Sequence, residues 1–400
     1  MKNTKDIHIA IPEYALAVMR PLWDAGEEVY IVGGCVRDAL LGKEPHDYDM
    51  AVSCQPERTL SILGDFRTVP TGLKHGTVTA ISEGQPIELT TFRVDGSYTD
   101  SRRPDSVSFT RSVEDDLSRR DFTVNAMAYS PRTGLIDLFG GRDDLENRII
   151  RAVGEPEKRF SEDALRIMRA FRFSAQLGFS VDLDTQRGAY ECRSGLENIA
   201  RERIGAEFIR LLCSPEPCAA LQLMEKLDIL GYASPSYTPS DKIFSLLAAM
   251  PACDTARLGF FLCDAEQERA RAVLNSLKCS NRQKSGALAI AREARTVIKA
   301  PRDAALLRSR IGELATFAAC ASVLLGVSDE SAVSLVESNR APVTLGELAL
   351  DGTALAALGI NGRDIGKTLH LLLDAVMEEP ALNTRESLLS LAKKHMEEGE

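Results

Sequence analysis

The chain has 400 residues, of which 44% are hydrophobic and 26% charged, with a formal net charge of −10. That length buries more than one core, so several domains or an elongated helical array are expected. The acidic balance argues against a general nucleic-acid binder, although a local basic surface on an acidic protein is compatible with one. No run of about eighteen apolar residues occurs, so no membrane span is expected. The stretch MKNTKDIHIAIPEYA lacks a long apolar core and a small-residue cleavage pattern, so no signal peptide is expected.

In chain order, residues 13–26 carry a helical pattern and EVYIVGG reads as a strand. VRDALLG reads as a short helix stopped at Gly42. HDYDMAV is a second strand and FRTVP a third. GTVTAI and PIELTTFRV resemble paired strands across the turn signal SEGQ. Residues 95–110 are polar and aperiodic and read as a mobile loop. SVEDDLSRRDFTVNAMAYS returns to helix, and LIDLFGGRDDLENRIIRAV gives a short edge strand, a glycine turn and more helix. After about residue 150 strand signals fade and helical periodicity dominates, with no fixed-period repeat. The fold class is therefore α+β: a mixed sheet with helices, then an elongated all-α region. Nine cysteines are scattered along the chain without a CxxC pair, and there are five histidines. Zinc is not expected, and free thiols in a reducing cytoplasm are.

Two features near the N-terminus carry chemistry. In a strand, residues i and i+2 share a face, so Asp47 and Asp49 present two carboxylates side by side with Tyr48 turned away. Like charges that close call for a cation between them, and hard oxygen ligands suit Mg2+. A solvated turn is the bland alternative for so short a motif. Gly33 and Gly34 stand between a strand and a helix, where backbone N–H groups can approach a phosphate, and Arg37 lies one helical turn on. A phosphate cradle close to a carboxylate pair is an arrangement for a nucleoside triphosphate. Glu88 adds a third carboxylate on a neighbouring strand, or faces solvent at a strand edge; both readings stay open.

VGGCVRDALLG followed by HDYDMAV resembles the signature of the class II nucleotidyltransferases, the tRNA CCA-adding enzymes and bacterial poly(A) polymerases. TGLKHGTVTA, IELTTFR, LSRRDFTVNAMAY, DLFGGRDDL and RFSEDALRIMRAFRFSAQLGF resemble the family's further elements in the same order. The resemblance is strong over residues 30–180 and implies a polymerase-beta-like nucleotidyltransferase head. It also implies nucleotide-contacting roles for Gly34, Arg37 and Arg120, and a base-reading role for Asp163 and Arg166. Arg119 is read as pairing with Asp115 or Asp116, and Asp121 with Asn125 as a local brace. Asp137, Gly140 and Gly141 are read as a turn leading into the helices.

The segment SEDALRIMRAFRF reads as a helix with Ser161 as its N-cap. Asp163, Arg166, Arg169 and Arg172 recur every third residue and form a row on it. From periodicity alone this is a salt-bridged solvent face, Asp163 with Arg166; three arginines facing a phosphate site would reverse that reading. A carboxylate only accepts hydrogen bonds and a guanidinium only donates them. Such a pair matches cytosine and adenine, which set an amino donor beside a ring acceptor. Guanine and uracil present the reverse and would leave both groups unpaired.

The resulting expectation is template-independent, Mg2+-dependent transfer of C, C and A from CTP and ATP to a tRNA 3′ end. A poly(A) polymerase, a split CC-adding or A-adding enzyme, and a tRNA-binding protein with a dead transferase fold are the alternatives. Polyadenylating relatives usually carry basic extensions, whereas residues 331–400 hold six Lys/Arg against eleven Asp/Glu. Intact aspartates argue against a dead fold. The expected organisation is a catalytic head over 1–142, a helical neck for base recognition over 143–205, a body over 206–285 and a tRNA-binding tail over 286–400. Gly362 and Gly366 before tail helices are read as caps or as contacts to RNA phosphates. A cytoplasmic location and no membrane are expected, with monomer and homodimer both open.

Overall fold

A computed structural model describes residues 7–73, 76–96 and 107–398. The chain divides into two compact units, residues 1–211 with 215–233, and residues 212–214 with 234–400.

The first unit begins with α1 (Glu13–Asp24), whose buried residues Ala15, Val18, Met19 and Leu22 follow the helical period. Next come β1 (Val29–Val32), α2 (Gly34–Leu40), β2 (Met50–Val52), α3 (Pro56–Ile62), β3 (Arg67–Gly72), β4 (Thr77–Ser82) and β5 (Gln85–Thr91). They are followed by β6 (Arg93–Asp95), β7 (Val107–Phe109), α4 (Val113–Ser118), β8 (Met127–Ser130), β9 (Gly134–Asp137) and α5 (Gly141–Asn147). Seven of these strands make one mixed sheet in the order β3-β4-β5-β2-β1-β8-β9. β1 is buried at every position, as a strand near the centre of a covered sheet must be. It pairs antiparallel with β2 on one side and β8 on the other, while β2 runs parallel to β5. Tyr30, Val32, Ala51, Phe92, Val113, Leu117 and Ala128 close a core cluster that ties α4 to this centre. Between β4 and β5, Glu83 and Gly84 both have positive φ, 51° and 79°, as a two-residue hairpin turn requires.

Four expectations are corrected here. The second strand is shorter than HDYDMAV: it begins at Met50, and Asp47 and Asp49 lie in the extended segment before it. Residues 95–110 are not all loop, because β6 and β7 pair antiparallel as a two-stranded ribbon; the rest of that loop, 97–106, lies outside the described residues. SVEDDLSRRDFTVNAMAYS is helical only in α4; Thr123–Asn125 is a 3-10 turn, and β8 joins the sheet beside β1. Tertiary pairing overrides helical spacing there. The fourth concerns Ser161. It caps nothing: it sits in the last turn of α6 (Pro156–Glu162), its hydroxyl donating to the Lys158 carbonyl at 2.9 Å.

The helical row is in fact two helices. Asp163 is extended, with φ −141° and ψ 102°, and α7 (Leu165–Leu177) starts after it. The Asp163 carboxylate accepts from the Leu165 N–H at 3.0 Å, a local bond that competes with continuing the helix. α8 (Leu183–Glu191) packs on α6 so closely that a Cβ on Gly188 would stand 2.6 Å from Pro156 Cβ. α9 (Arg201–Leu212) follows.

The second unit shows no strand among its described residues. Its cores are an alanine-rich cluster around Ala304, Leu307, Ala318 and Ala319, and a second cluster around Leu355, Leu372, Val376 and Leu388. Arg257 is buried and donates to the carbonyls of Met250, Leu212 and Ala248 at 2.8, 2.8 and 3.0 Å. Gly362 precedes the helix Arg363–Glu378, whereas Gly366 lies inside it, so only Gly362 is a cap.

Candidate active site

A cavity of about 550 Å3 opens in the first unit, within the size range of small-molecule sites. Its floor is the turn between β1 and α2. Gly33 has φ 74°, a conformation that favours glycine, and a Cβ there would stand 3.0 Å from Arg120 Nη1. Glycine therefore lets the Arg120 guanidinium lie against the turn. Arg37, one turn into α2, is buried. Its Nε and Nη2 donate to Asp38 at 2.9 and 3.0 Å, and its Nη1 to Asn125 Oδ1 at 2.7 Å. Asn125 donates to Asp121 Oδ1 at 3.3 Å, and Asp121 Oδ2 pairs with Arg169 at 2.6 Å. The Asp121–Asn125 brace read from sequence thus links α2 to α7.

Asp47 and Asp49 line the same cavity and are exposed, while Tyr48 between them is buried and packs edge-on to Tyr14 at 6.1 Å. The alternation expected of a strand survives although the segment is outside β2. The Val32 N–H donates to the Asp49 carbonyl at 3.0 Å and fixes the segment beside β1. Asp49 is open to the cavity yet has protein packed around its carboxyl; that partial desolvation, then the neighbouring Asp47 and Glu88 carboxylates, push it up to about 6, against a pull from Arg120. Glu88 lies one residue before Leu89, the parallel partner of Met50, so it is level with Asp49 on the next strand. It does not line the cavity, and among the described residues no group of three His, Cys, Asp or Glu forms a metal cluster. The donor set is therefore a carboxylate pair with crowded charge and open faces. That fits Mg2+, which takes one or two carboxylates and keeps water or phosphate oxygens.

The opposite wall is cationic. Asp163 and Arg166 do not pair with each other, contrary to the i,i+3 bridge that spacing suggests. Asp163 Oδ2 is held by Arg203 Nη2 at 3.0 Å. Arg166 pairs with Glu162 at 2.7 Å and donates to the carbonyls of Arg159 and Arg119 at 3.1 and 2.9 Å. Arg172 binds Glu207 at 2.5 Å and Gln176 at 2.8 Å. Arg119 and Arg120 share the buried Asp116, at 2.6 and 3.1 Å. Burial alone would raise the Asp116 and Asp121 carboxyls, but the arginines outweigh it and both lie below the usual carboxylate range. Arg120 Nε and Arg203 Nη1 are buried without a protein acceptor.

Gly34, Arg37, Asp47, Asp49, Arg120, Asp163, Arg166, Arg169 and Arg172 thus converge on one cavity, and Glu88 stands outside it. Arg203, Phe173 and Gln176 also line it and were not singled out in the sequence. Phe173 and Gln176 had a signal, since they stand four residues after Arg169 and Arg172 and so share their helix face. Arg203 had none, because only tertiary packing brings α9 to Asp163.

This sheet, glycine turn and carboxylate pair define a nucleotidyltransferase head, and residues 29–151 match the model of the poly A polymerase head domain. Residues 178–240 match a probable RNA and SrmB-binding site of polymerase A. The CCA-adding enzyme of Leuconostoc mesenteroides is 49% identical over 218 residues, 54% of this chain and 54% of that protein. At this level of identity the match spans about half the length of the curated relatives. The CCA-adding enzyme of Lactiplantibacillus plantarum is 35% identical over 390 residues, 95% of both chains. The crystal structure of the Bacillus stearothermophilus CCA-adding enzyme in complex with CTP superposes with a TM-score of 0.78 at 31% identity, covering 97% of this chain and 100% of that one. The chain belongs to the CCA-adding enzyme family.

Proposed function

We propose that the chain adds C, C and A to tRNA 3′ ends from CTP and ATP without a nucleic-acid template, releasing pyrophosphate. The observation that carries this reading is one cleft shared by the Asp47/Asp49 pair, the Gly33-Gly34 turn and Asp163 with Arg166. The relative from Bacillus stearothermophilus, similar along the whole chain, holds CTP.

Asp47 and Asp49 would hold Mg2+, which when bound neutralises triphosphate charge and lowers the pKa of an attacking hydroxyl. The backbone at Gly34, with Arg37 and Arg120, orients the phosphates, and the unpartnered Arg120 Nε is a donor for one of their oxygens. Asp163 accepts from the amino group of cytosine or adenine, and Arg166 donates to the adjacent ring nitrogen. Arg203 fixes one Asp163 oxygen, and the Leu165 N–H fixes the other, so the carboxylate keeps one orientation. Rigid partners of this kind make rejection of guanine and uracil costly. Arg169 and Arg172 face the phosphates. Glu88 shapes the charge of Asp49 from outside the cleft. The neck over 143–205 carries base recognition, the body spans 206–285 and the tail over 286–400 binds tRNA; the match of residues 178–240 to an RNA-binding model supports an RNA contact in the neck and body as well, and the enzyme works in the cytoplasm.

The test offers tRNAs ending before the tail, after CC and after CCA, with each nucleoside triphosphate and Mg2+. Incorporation of C and A that stops at CCA supports the proposal. Long A tracts would make the chain a polyadenylating enzyme, and no incorporation by folded protein would remove both readings.

A further inference from the structure

Phe173 is buried on α7 at the wall of the cleft. Three guanidinium groups stand over its ring: Arg172 with Cζ 3.8 Å from the centroid, Arg169 at 5.3 Å and Arg37 at 5.5 Å. Arg37 comes from the helix of the glycine turn and the other two from α7. Their oxygen partners overlap only in part: Asp38 and Asn125 for Arg37, Asp121 for Arg169, Gln176 for Arg172, with Glu207 shared by Arg172 at 2.5 Å and Arg169 at 3.9 Å but not reaching Arg37. The ring is the point common to all three. Like charges this close repel. Burial holds Arg172 below the ordinary guanidinium range, with Glu207 opposing and Arg169 adding to the push. The negative face of an aromatic ring attracts a guanidinium without occupying its in-plane N–H donors, which stay directed at oxygen acceptors. Phe122 packs edge-on against Phe173, centroids 5.8 Å apart at 76°, and fixes the plane of the ring.

We propose that Phe173 is a positioning residue for the phosphates of the incoming nucleotide, its ring gathering Arg37, Arg169 and Arg172 into one cationic surface between the glycine turn and α7. This rests on the nucleotidyl-transfer reading above. The surface meets the part that CTP and ATP share. Phe173 therefore governs affinity for both nucleotides equally and leaves the choice among bases to Asp163 and Arg166.

The test replaces Phe173 with Leu, with Tyr and, site-specifically, with 3,4,5-trifluorophenylalanine, which keeps the ring's shape while draining its negative face. KM for CTP and for ATP is measured with tRNA acceptors, and binding of inorganic tripolyphosphate is measured at equilibrium. The Leu and trifluoro variants are expected to raise both KM values by roughly five- to tenfold and to weaken tripolyphosphate by the same factor. Phe173→Tyr is expected to stay near wild type, and kcat to remain within about twofold in every variant. A trifluoro variant with wild-type KM and tripolyphosphate affinity would overturn the proposal, as would unequal shifts for CTP and ATP or a loss confined to kcat. Should the Leu variant fail to fold, the Tyr and trifluoro variants decide alone, since both preserve the packing. Wild-type protein that incorporates neither nucleotide would sink the transferase reading, while the tripolyphosphate measurement would still report whether the ring organises the arginines.

Discussion

Asp49→Asn is expected to stabilise the protein while removing one of the two carboxylates proposed to hold Mg2+. The Asp49 carboxyl is pushed up to about 6 by partial desolvation, Asp47 and Glu88. From an ordinary value of about 4, that is about two units, or about 3 kcal/mol. The side chain is open to water, and screening reduces the figure to about 1 kcal/mol. A raised carboxyl means that the fold takes up its proton before the unfolded chain does. The charged group therefore weighs on the fold above the folded value, the penalty shrinks as pH falls through it, and below about 4 it vanishes because both states are protonated. Asparagine keeps the shape without the charge. At pH 8 in chelator the variant should melt about 2–4 °C higher than wild type, the shift that about 1 kcal/mol gives a unit of ~200 residues. At pH 5 the gap should narrow. Adding Mg2+ should raise the wild-type Tm and leave the variant's unchanged. The assay is a thermal melt followed by circular dichroism at both pH values, with chelator and with Mg2+. A variant no more stable than wild type at pH 8 in chelator, or a gap independent of pH, would refute the picture of a crowded carboxylate that Arg120 only partly offsets.

Asp163→Ala should relax base choice, so that G or U enters, whereas Asp47→Ala should abolish transfer; incorporation assays with single nucleotides separate the two, and full selectivity in Asp163→Ala would contradict the base-reading role. Gly141→Ala should cost about 3 kcal/mol in urea unfolding, because its Cβ would overlap the Thr123 carbonyl and stand 3.0 Å from Met127 Cγ; wild-type stability would show that α5 shifts freely. Asp116 and Asp121 have carboxyls held below the usual range. Their contribution to stability is thus present above pH ~4 and lost as pH falls through the lowered values. Asp116→Asn should cost about 3 kcal/mol at pH 7, since it leaves two arginines without their buried partner, and the difference should close in acid; a gap that persists at pH 2–3 would count against the ion pairs.

The local parts of the site were legible because they depend on neighbours in sequence. A strand, two glycines and a helix form from their own spacing, and Asp47 and Asp49 share a face whether or not the segment is hydrogen-bonded as a strand. Asp137 also behaves as its turn suggests, accepting from the N–H groups of Gly141 and Arg142 at 2.8 and 2.9 Å. What escaped was set by distant partners. β8 exists because Tyr129 and Ala128 pair with Ile31 and Val32, and nothing in FTVNAMAYS announces that. The row from Asp163 to Arg172 has helical spacing, but the side chain of Asp163 breaks the helix at its own position. Arg203 reaches Asp163 from 40 residues away, and no pattern in RERIGAEF marks it.

If Asp163 reads the base as proposed, its place at the break makes base selection a property of a joint and not of a rod. Two short helices meet there at one extended residue, whose carboxylate is held from α7 by the Leu165 N–H and from α9 by Arg203. At the far end of α6, Pro156 rests on Gly188 with no room for a further methyl group. On that reading a substitution at the α6–α8 seam, outside the cleft lining, is expected to alter nucleotide choice by moving α6, and a map of specificity confined to the cleft would miss it.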